Sequence, residues 1–150
     1  MVSTVLLLLI APGLQAADSS LDLGKYKGKA VYLDFWASWC VPCKKSFPWM
    51  QEMQAKYGDR GLQIVAVNLD ENPKDADRFL ARFPDINFTI VRDPKGKYAE
   101  SYQVSGMPTA LLFDAEGNEA GRHVGFRSAK KITYEATIRA LLPRTEGASK

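Results

Sequence analysis

The chain has 150 residues, 46% of them hydrophobic, and its 20 basic and 17 acidic residues give a formal net charge of +3. This length predicts one domain with a buried core, and the small charge excess argues against a protein that binds nucleic acid or a membrane surface. Two cysteines and one histidine are too few for a tetrahedral zinc site of sulfur and imidazole or for a disulfide-rich scaffold, which leaves a single bridge, a redox pair or two buried thiols.

The first 17 residues are typical of an export signal. An apolar run over residues 5–11 is followed by Pro-Gly and small residues, and no charged side chain precedes Asp18. The run is too short to span a bilayer as a helix, and this order of segments is that of a secretory signal peptide. No Lys or Arg precedes the run and no Ala-x-Ala cleavage site follows it, so an uncleaved anchor or a truncated start stays open. We predict a signal peptide over 1–17, a domain over 18–143 and a flexible tail over 144–150.

The predicted elements alternate between strands and helices. Residues 30–37 are apolar, β-branched and aromatic, which predicts a strand covered on both faces. A helix is predicted over 44–57, kinked by Pro48 and ended by Gly58. There follow a strand over 62–69, a helix from 72 to 83, a strand over 88–91, a short helix over 95–102, a hairpin of 109–113 with 119–124, and a helix over 130–142. This order predicts an α/β layered domain.

Cys40 and Cys43 lie at the first predicted strand-to-helix junction, with two residues between them. A disulfide at that spacing closes a very small loop and gains little stability from chain entropy, so stabilisation of the fold is a poor explanation for the cysteine pair. At the helix N-cap, Cys40 would meet free N–H groups and the positive end of the helix dipole, which stabilise a thiolate. Cys43 would then attack a mixed disulfide. One alternative is that the two cysteines are half of a zinc site, but the chain offers no further ligands for it. Another is that they are two coincidental core residues, which would not explain the neighbouring Trp39 and Pro42. A redox pair is therefore favoured.

Three segments resemble the thioredoxin superfamily. Residues 34–44, Asp-Phe-Trp-Ala-Ser-Trp-Cys-Val-Pro-Cys-Lys, resemble its active-site strand, loop and helix. Residues 106–109, Gly-Met-Pro-Thr, resemble the segment that carries the family's cis-proline, and Val124-Gly125 resembles the turn that completes the substrate groove. The resemblance covers about residues 24–142 and implies a thioredoxin-like fold, with a central mixed β-sheet flanked by helices.

Within that superfamily, the chain is similar to extracytoplasmic reductases of the TlpA/ResA/DsbE kind. An extra helical insert over about 70–83 places Pro108 much farther from Cys43 than in thioredoxin itself. The resemblance implies a thiol–disulfide oxidoreductase that reduces protein disulfides outside the cytoplasm, often in cytochrome c maturation, with electrons from a membrane thiol donor. We expect a periplasmic or otherwise extracytoplasmic bacterial monomer that has no cofactor and no metal.

The resemblance also assigns roles to site residues. Cys40 is the attacking nucleophile and Cys43 the resolving thiol. Trp39 is expected to cover the dithiol, and Met107, beside a cis Pro108, to present its backbone N–H and C=O to an extended substrate. Together with Gly125, these residues form the expected substrate-binding set, which is Trp39, Met107, Pro108 and Gly125.

Asp34 is expected to be a buried acid. Thioredoxin pairs the matching acid with a Lys on the neighbouring strand, where this chain has Ala66, and burial without that partner should raise the pKa of Asp34. Such a carboxylate suits a proton acceptor for Cys43. An acid that only hydrogen-bonds nearby backbone is the alternative.

The residues between the cysteines indicate the direction of electron flow. Val41-Pro42 lacks the His that further stabilises the thiolate of strong oxidases, so we expect a fairly reducing couple. Two alternatives stay open on the same fold. A thiol peroxidase would need a Thr or Ser and an Arg near its cysteine, and no Pro-x-x-x-Thr-x-x-Cys pattern precedes Cys40. A copper-delivery protein would need a downstream His, and only His123, expected on an exposed strand, is available.

Overall fold

The computed structural model describes residues 21–144, so the predicted signal peptide and residues 145–150 of the predicted tail lie outside the described residues. The strands are β1 (Ala30–Trp36), β2 (Leu62–Asn68), β3 (Thr89–Arg92), β4 (Thr109–Phe113) and β5 (Glu119–Val124). The helices are α1 (Val41–Tyr57), α2 (Pro73–Leu80), α3 (Lys97–Ser101) and α4 (Lys131–Leu141). Short 3-10 helices lie at Gly24–Tyr26, Gly58–Arg60 and Ser128–Lys130. None of the helices over residues 21–144 is both long enough and apolar enough to cross a membrane.

The five strands form one mixed sheet in the order β3-β2-β1-β4-β5. β1, β2 and β3 are parallel, and their crossover connections hold α1 and α2. β4 is antiparallel to both β1 and β5. The predicted thioredoxin-like mixed sheet with flanking helices is therefore confirmed. Because β4 runs against β1, the chain enters β4 at the same edge of the sheet at which it leaves β1.

Side-chain alternation along β1 divides the core between the two faces of the sheet. Tyr32 and Trp36 belong to a core that also holds residues of α1, α2 and α4. Leu33 and Phe35 belong to a second core, which holds Ala99 of α3 and residues before β1. All seven residues of β1 are buried, because both faces of this central strand are covered.

Aromatic packing attaches the predicted helical insert to the active-site helix. The ring of Phe47, in α1, lies 4.7 Å from Trp36 and 4.8 Å from Phe79 of α2, measured between ring centroids. The insert is thus confirmed as α2, which ends at Leu80 rather than at Phe83. Phe83 lies beyond the helix and still packs on Phe47, with centroids 5.3 Å apart.

The ends of α1 differ in detail from the prediction. The helix begins at Val41, earlier than expected, because a proline in the first helical turn needs no intrahelical hydrogen bond for its nitrogen. It ends at Tyr57 and continues through Pro48 without a break in its residue range. Gly58 has a right-handed conformation with φ −55°, and the left-handed residue that reverses the chain is Gly61, with φ +92°. A Cβ on Gly61 would also lie 2.5 Å from Pro143.

Candidate active site

The cysteine pair occupies the junction between β1 and α1. Cys40 donates its N–H to the carbonyl oxygen of Ala37 at 3.1 Å, closing a tight turn after β1, and it is the N-cap residue of α1. Cys43 lies in the first helical turn and donates its N–H to Sγ of Cys40 at 3.3 Å. The two residues are joined by a disulfide, with Cα atoms 5.3 Å apart. The sulfur of Cys40 therefore takes the position of an N-cap acceptor, where helix N–H groups stabilise negative charge.

The two cysteines differ in accessibility. Cys40 retains 4% of its surface, whereas Cys43 is fully buried in the core beneath it. Both residues are buried in the disulfide form, and Cys40 is the one of the two that keeps some contact with solvent. Reduction of the bridge would leave Cys40 as the accessible thiol at a helix N-terminus, a position that lowers the pKa of a thiol.

Pro108 follows a cis peptide bond from Met107, as predicted. Its carbonyl oxygen accepts the N–H of Gly125 at 2.7 Å, which joins the entry of β4 to the end of β5. Gly125 has φ +79°, a left-handed conformation that favours glycine, although a Cβ there would meet no atom within 4 Å. Met107 is half-buried and packs against the core that contains the cysteines. The structure thus brings three of the predicted substrate-binding residues together at one edge of the sheet.

Large apolar side chains are exposed on both sides of this edge. Trp39 is 67% exposed immediately before Cys40, and Val41 is 62% exposed immediately after it. Val124 is 63% exposed at the end of β5. It lies beside Gly106, because a Cβ added to that glycine would be 3.9 Å from Cγ1 of Val124. Exposed apolar surface around a reactive group is typical of a site that binds another protein.

Asp34 is buried on the side of the sheet that faces the cysteines. Its cross-strand neighbours are Ala66 on β2 and Ala110 on β4, and both belong to the core that contains Cys40 and Cys43. Its Oδ2 has no hydrogen-bond partner among the described residues, and burial raises the pKa of the carboxyl group well above its usual range. The predicted environment is confirmed, since no cation stands at the Ala66 position and the charged form is not solvated.

A second buried acid, Asp70, holds the loop before Cys40. Its Oδ2 accepts the N–H of Ser38 at 3.0 Å and the side-chain amide of Asn68 at 2.6 Å, and its Oδ1 accepts the Ser38 hydroxyl at 2.8 Å. These contacts join the end of β2 to the residue just before Trp39. The sequence motifs do not point to Asp70, although a polar residue directly after a buried strand is a signal of a functional position.

His123 corrects one expectation. It is half-buried rather than exposed, its ring stacks on Tyr134 with centroids 4.4 Å apart, and its Nε2 lies 3.2 Å from the hydroxyl of Tyr32. Burial lowers the pKa of the imidazole. Within residues 21–144, no group of three or more His, Cys, Asp or Glu side chains is placed to hold a metal ion.

Comparison with protein families and curated proteins gives a consistent result. The Redoxin family profile matches residues 9–140. The thiol-disulfide oxidoreductase ResA of Bacillus cereus (strain ZK / E33L) is 31% identical over 125 residues, which are 81% of this chain and 72% of that protein. Two further ResA proteins, from Bacillus thuringiensis and another Bacillus cereus strain, are 34% identical, and the chain spans 63% of their length.

Two solved structures share the fold. A Chlorobium tepidum protein described as thiol:disulfide interchange protein DsbE has a TM-score of 0.77 and 53% identity, over 79% of this chain and 84% of that one. The exposed lipoprotein thioredoxin of Streptococcus pneumoniae strain TIGR4 has a TM-score of 0.69 and 32% identity, over 79% of this chain and 89% of that one. These similarities confirm the predicted family and fold.

Replacement of Asp70 should loosen the loop before Cys40. In Asp70→Ala, the buried donors of Ser38 and Asn68 lose their acceptor, and we expect the free energy of unfolding to fall by about 1–3 kcal/mol. Urea unfolding of the oxidised protein measures this loss. Glu71→Ala, at the exposed neighbouring position, is the control and should change stability by less than about 0.5 kcal/mol. Equal free energies of unfolding for the two variants would show that the hydrogen bonds of Asp70 do not contribute to stability.

Proposed function

The chain belongs to the Redoxin family and is a ResA-like thiol–disulfide oxidoreductase with a Cys40–Cys43 pair, and on this premise we propose that it reduces protein disulfides outside the cytoplasm. The observation that carries the proposal is the unequal placement of the two cysteines: Cys40 retains slight exposure at the N-cap of α1, whereas Cys43 is fully buried in the first helical turn. Ordered thiol–disulfide exchange needs this arrangement, because the sulfur of Cys40 must react with the substrate disulfide and the sulfur of Cys43 must react only with Cys40.

The reaction is proposed to proceed in two exchanges. The thiolate of Cys40 attacks one sulfur of the substrate disulfide, which forms a mixed disulfide and expels a substrate thiolate that takes a proton from water. Cys43 then transfers its proton to Asp34 in its ionised form and attacks Sγ of Cys40, which expels the second substrate sulfur as a thiolate that also takes a proton from water; Asp34 afterwards releases its proton to solvent. The substrate gains two electrons and two protons, and the enzyme is left with its disulfide.

The direction of electron flow is supported by the residues between the cysteines. Val41 and Pro42 provide no imidazolium to stabilise the Cys40 thiolate beyond what the helix N-terminus supplies. A less stabilised thiolate makes the dithiol a better reductant, because the reduced form is then less favoured relative to the disulfide.

The location is supported by the apolar run over residues 5–11 and by the similarity to a thioredoxin described as an exposed lipoprotein. Compartments outside the cytoplasm are oxidising, so each turnover requires the enzyme to be reduced again. A thiol donor embedded in the membrane is the proposed source of those electrons. The proposed substrates include the Cys-x-x-Cys-His segment of apocytochromes c, whose cysteines must be thiols before haem can be attached.

The reduction potential of the Cys40–Cys43 couple tests the direction. We expect a value nearer the ~ −270 mV of thioredoxin than the ~ −120 mV of DsbA. Equilibration in defined redox buffers, followed by quantification of free thiols, measures it. A potential close to that of DsbA would instead assign the protein as an oxidant.

Separate substitutions test the two cysteine roles. Cys40→Ser should abolish the reduction of insulin disulfides, because the accessible nucleophile is lost. Cys43→Ser should accumulate mixed disulfides with substrate proteins, because the resolving thiol is lost, and non-reducing gels detect them. If Cys43→Ser captures no substrate under conditions in which the wild-type protein reduces insulin, the proposed order of exchange is wrong.

The substitution Asp34→Asn should change stability and activity in opposite directions. Because burial raises the pKa of Asp34, the folded protein holds this proton at pH values where the unfolded chain has lost it. Stability should therefore fall as pH rises from the unfolded pKa through the folded one, and the neutral Asn should remove that loss. At neutral pH, the variant should be more stable than the wild type and should resolve mixed disulfides about 100-fold more slowly.

Urea unfolding across the acidic-to-neutral range and rapid-mixing kinetics measure the two effects of Asp34→Asn. Asp114→Asn is the control, since hydrogen bonds from Asn118 lower the pKa of Asp114 in a turn at the far end of β4, and the exchange rate should not change. An unaltered resolution rate in Asp34→Asn would remove Asp34 from the proposed mechanism.

A further inference from the structure

Three of the segments that meet at the redox edge of the sheet contain no acidic residue. Residues 35–51 leave β1 and enter α1, residues 103–113 lead into and form β4, and residues 120–134 leave β5 and enter α4. Because β4 is antiparallel to β1 and β5 is antiparallel to β4, the ends that carry Cys40, Pro108 and Gly125 lie at one edge. Basic residues, in contrast, are frequent in the same segments: Lys44, Lys45, Arg122, Arg127, Lys130 and Lys131.

Five of these cations have no acidic partner. Lys44, Lys45, Arg127 and Lys130 are exposed and Lys131 is half-buried, and none of the five forms an ion pair with a described residue. The ion pairs within residues 21–144 involve other cations, Lys56, Arg78, Arg92 and Arg122. Positive charge at the redox edge is therefore not neutralised within the described part of the molecule, and it creates an attractive field for anionic groups.

Apolar side chains lie among these cations. The strongly exposed large hydrophobic residues of the described chain are Trp39, Val41, Val124 and Ile132, and all four belong to the same segments. The ends of β1 and β5 are separated by β4 alone, a distance of about 10 Å at the usual strand spacing. The exposed acid Glu71 follows β2, on the opposite side of β1, so the three segments without acidic residues lie on the β1–β4–β5 side.

We propose that this redox face binds proteins whose disulfide is surrounded by acidic side chains; the face is defined by the four exposed apolar residues and the five unpaired cations. The inference rests on the proposed reduction of protein disulfides and specifies the class of substrate. The cations increase the rate of encounter and orient the partner, and the apolar residues hold the substrate beside Cys40. A membrane with anionic headgroups is the less suitable occupant, because seating this face on lipid would cover the accessible sulfur.

Three peptides with one identical disulfide loop, flanked by Glu, Ser or Lys residues, provide the test. The wild-type protein should reduce the Glu-flanked peptide fastest and the Lys-flanked peptide slowest. At low ionic strength, the ratio of their kcat/KM values should be about tenfold or more, and it should shrink as added salt screens the charges.

Charge reversal identifies the face responsible. Arg127→Glu combined with Lys130→Glu should reverse the order of the Glu- and Lys-flanked peptides. Lys27→Glu combined with Lys29→Glu makes the same change in net charge on exposed residues that precede β1, at the opposite edge, and the wild-type order should remain. A purely structural effect would slow all three peptides together and leave their ratios unchanged.

The possible failures are distinguishable. Measurable and equal rates for the three peptides would overturn this inference and leave the proposed function intact. Failure of the wild-type protein to reduce any of them would overturn the proposed function as well. Sedimentation with phosphatidylglycerol vesicles that is lost in the Arg127→Glu, Lys130→Glu variant, without any preference among the peptides, would assign the face to a membrane and overturn the inference.

Discussion

The antiparallel pairing of β4 with β1 is the constraint on which the site depends. Its register places Thr109 opposite Phe35, so that Pro108 lies level with Trp36, the last residue of β1, after which the chain turns toward Cys40. The hydrogen bond from Gly125 to Pro108 then attaches the end of β5 to the same edge. Three segments far apart in the chain thus form one surface. The hydrophobic burial of β1 on both faces stabilises this register, because a slip by one residue would move every side chain to the opposite face.

The burial of Asp34 imposes a cost that the rest of the core has to offset. A carboxyl group between Ala66 and Ala110 has no cation beside it, and its ionised form is poorly solvated. The second buried acid has the opposite environment, since Asp70 accepts three hydrogen bonds and holds the loop before Trp39. Of these two buried carboxyl groups, one is satisfied by hydrogen bonds and the other has an oxygen without a partner. The unsatisfied group is the one suited to accept a proton, because a raised pKa makes its carboxylate a stronger base.

Much of the fold could be predicted from the sequence because its signals are local. The apolar run of β1, the prolines near the start of α1 and the Cys-x-x-Cys spacing each act within a few residues. The cis form of Pro108 and the burial of Asp34 were also predicted correctly from motifs. The end of α2 was not predicted correctly, because Phe83 packs on Phe47, which lies in a distant part of the chain. The left-handed residue after α1 was not predicted correctly either, because Gly61 is approached by Pro143, which is also distant in the chain.

By itself, the sequence determined the redox chemistry: two cysteines at a strand-to-helix junction, with no further cysteine and one histidine, in a chain of the thioredoxin superfamily. Only the tertiary structure decided which polar groups surround that chemistry. It engaged His123 with Tyr32 and Tyr134, placed Asp70 under the loop before Cys40, and brought the ends of β1 and β5 and the start of β4 to one edge of the sheet. The physical reason is that these relationships depend on the order and direction of strands, which a periodic pattern of apolar residues does not specify.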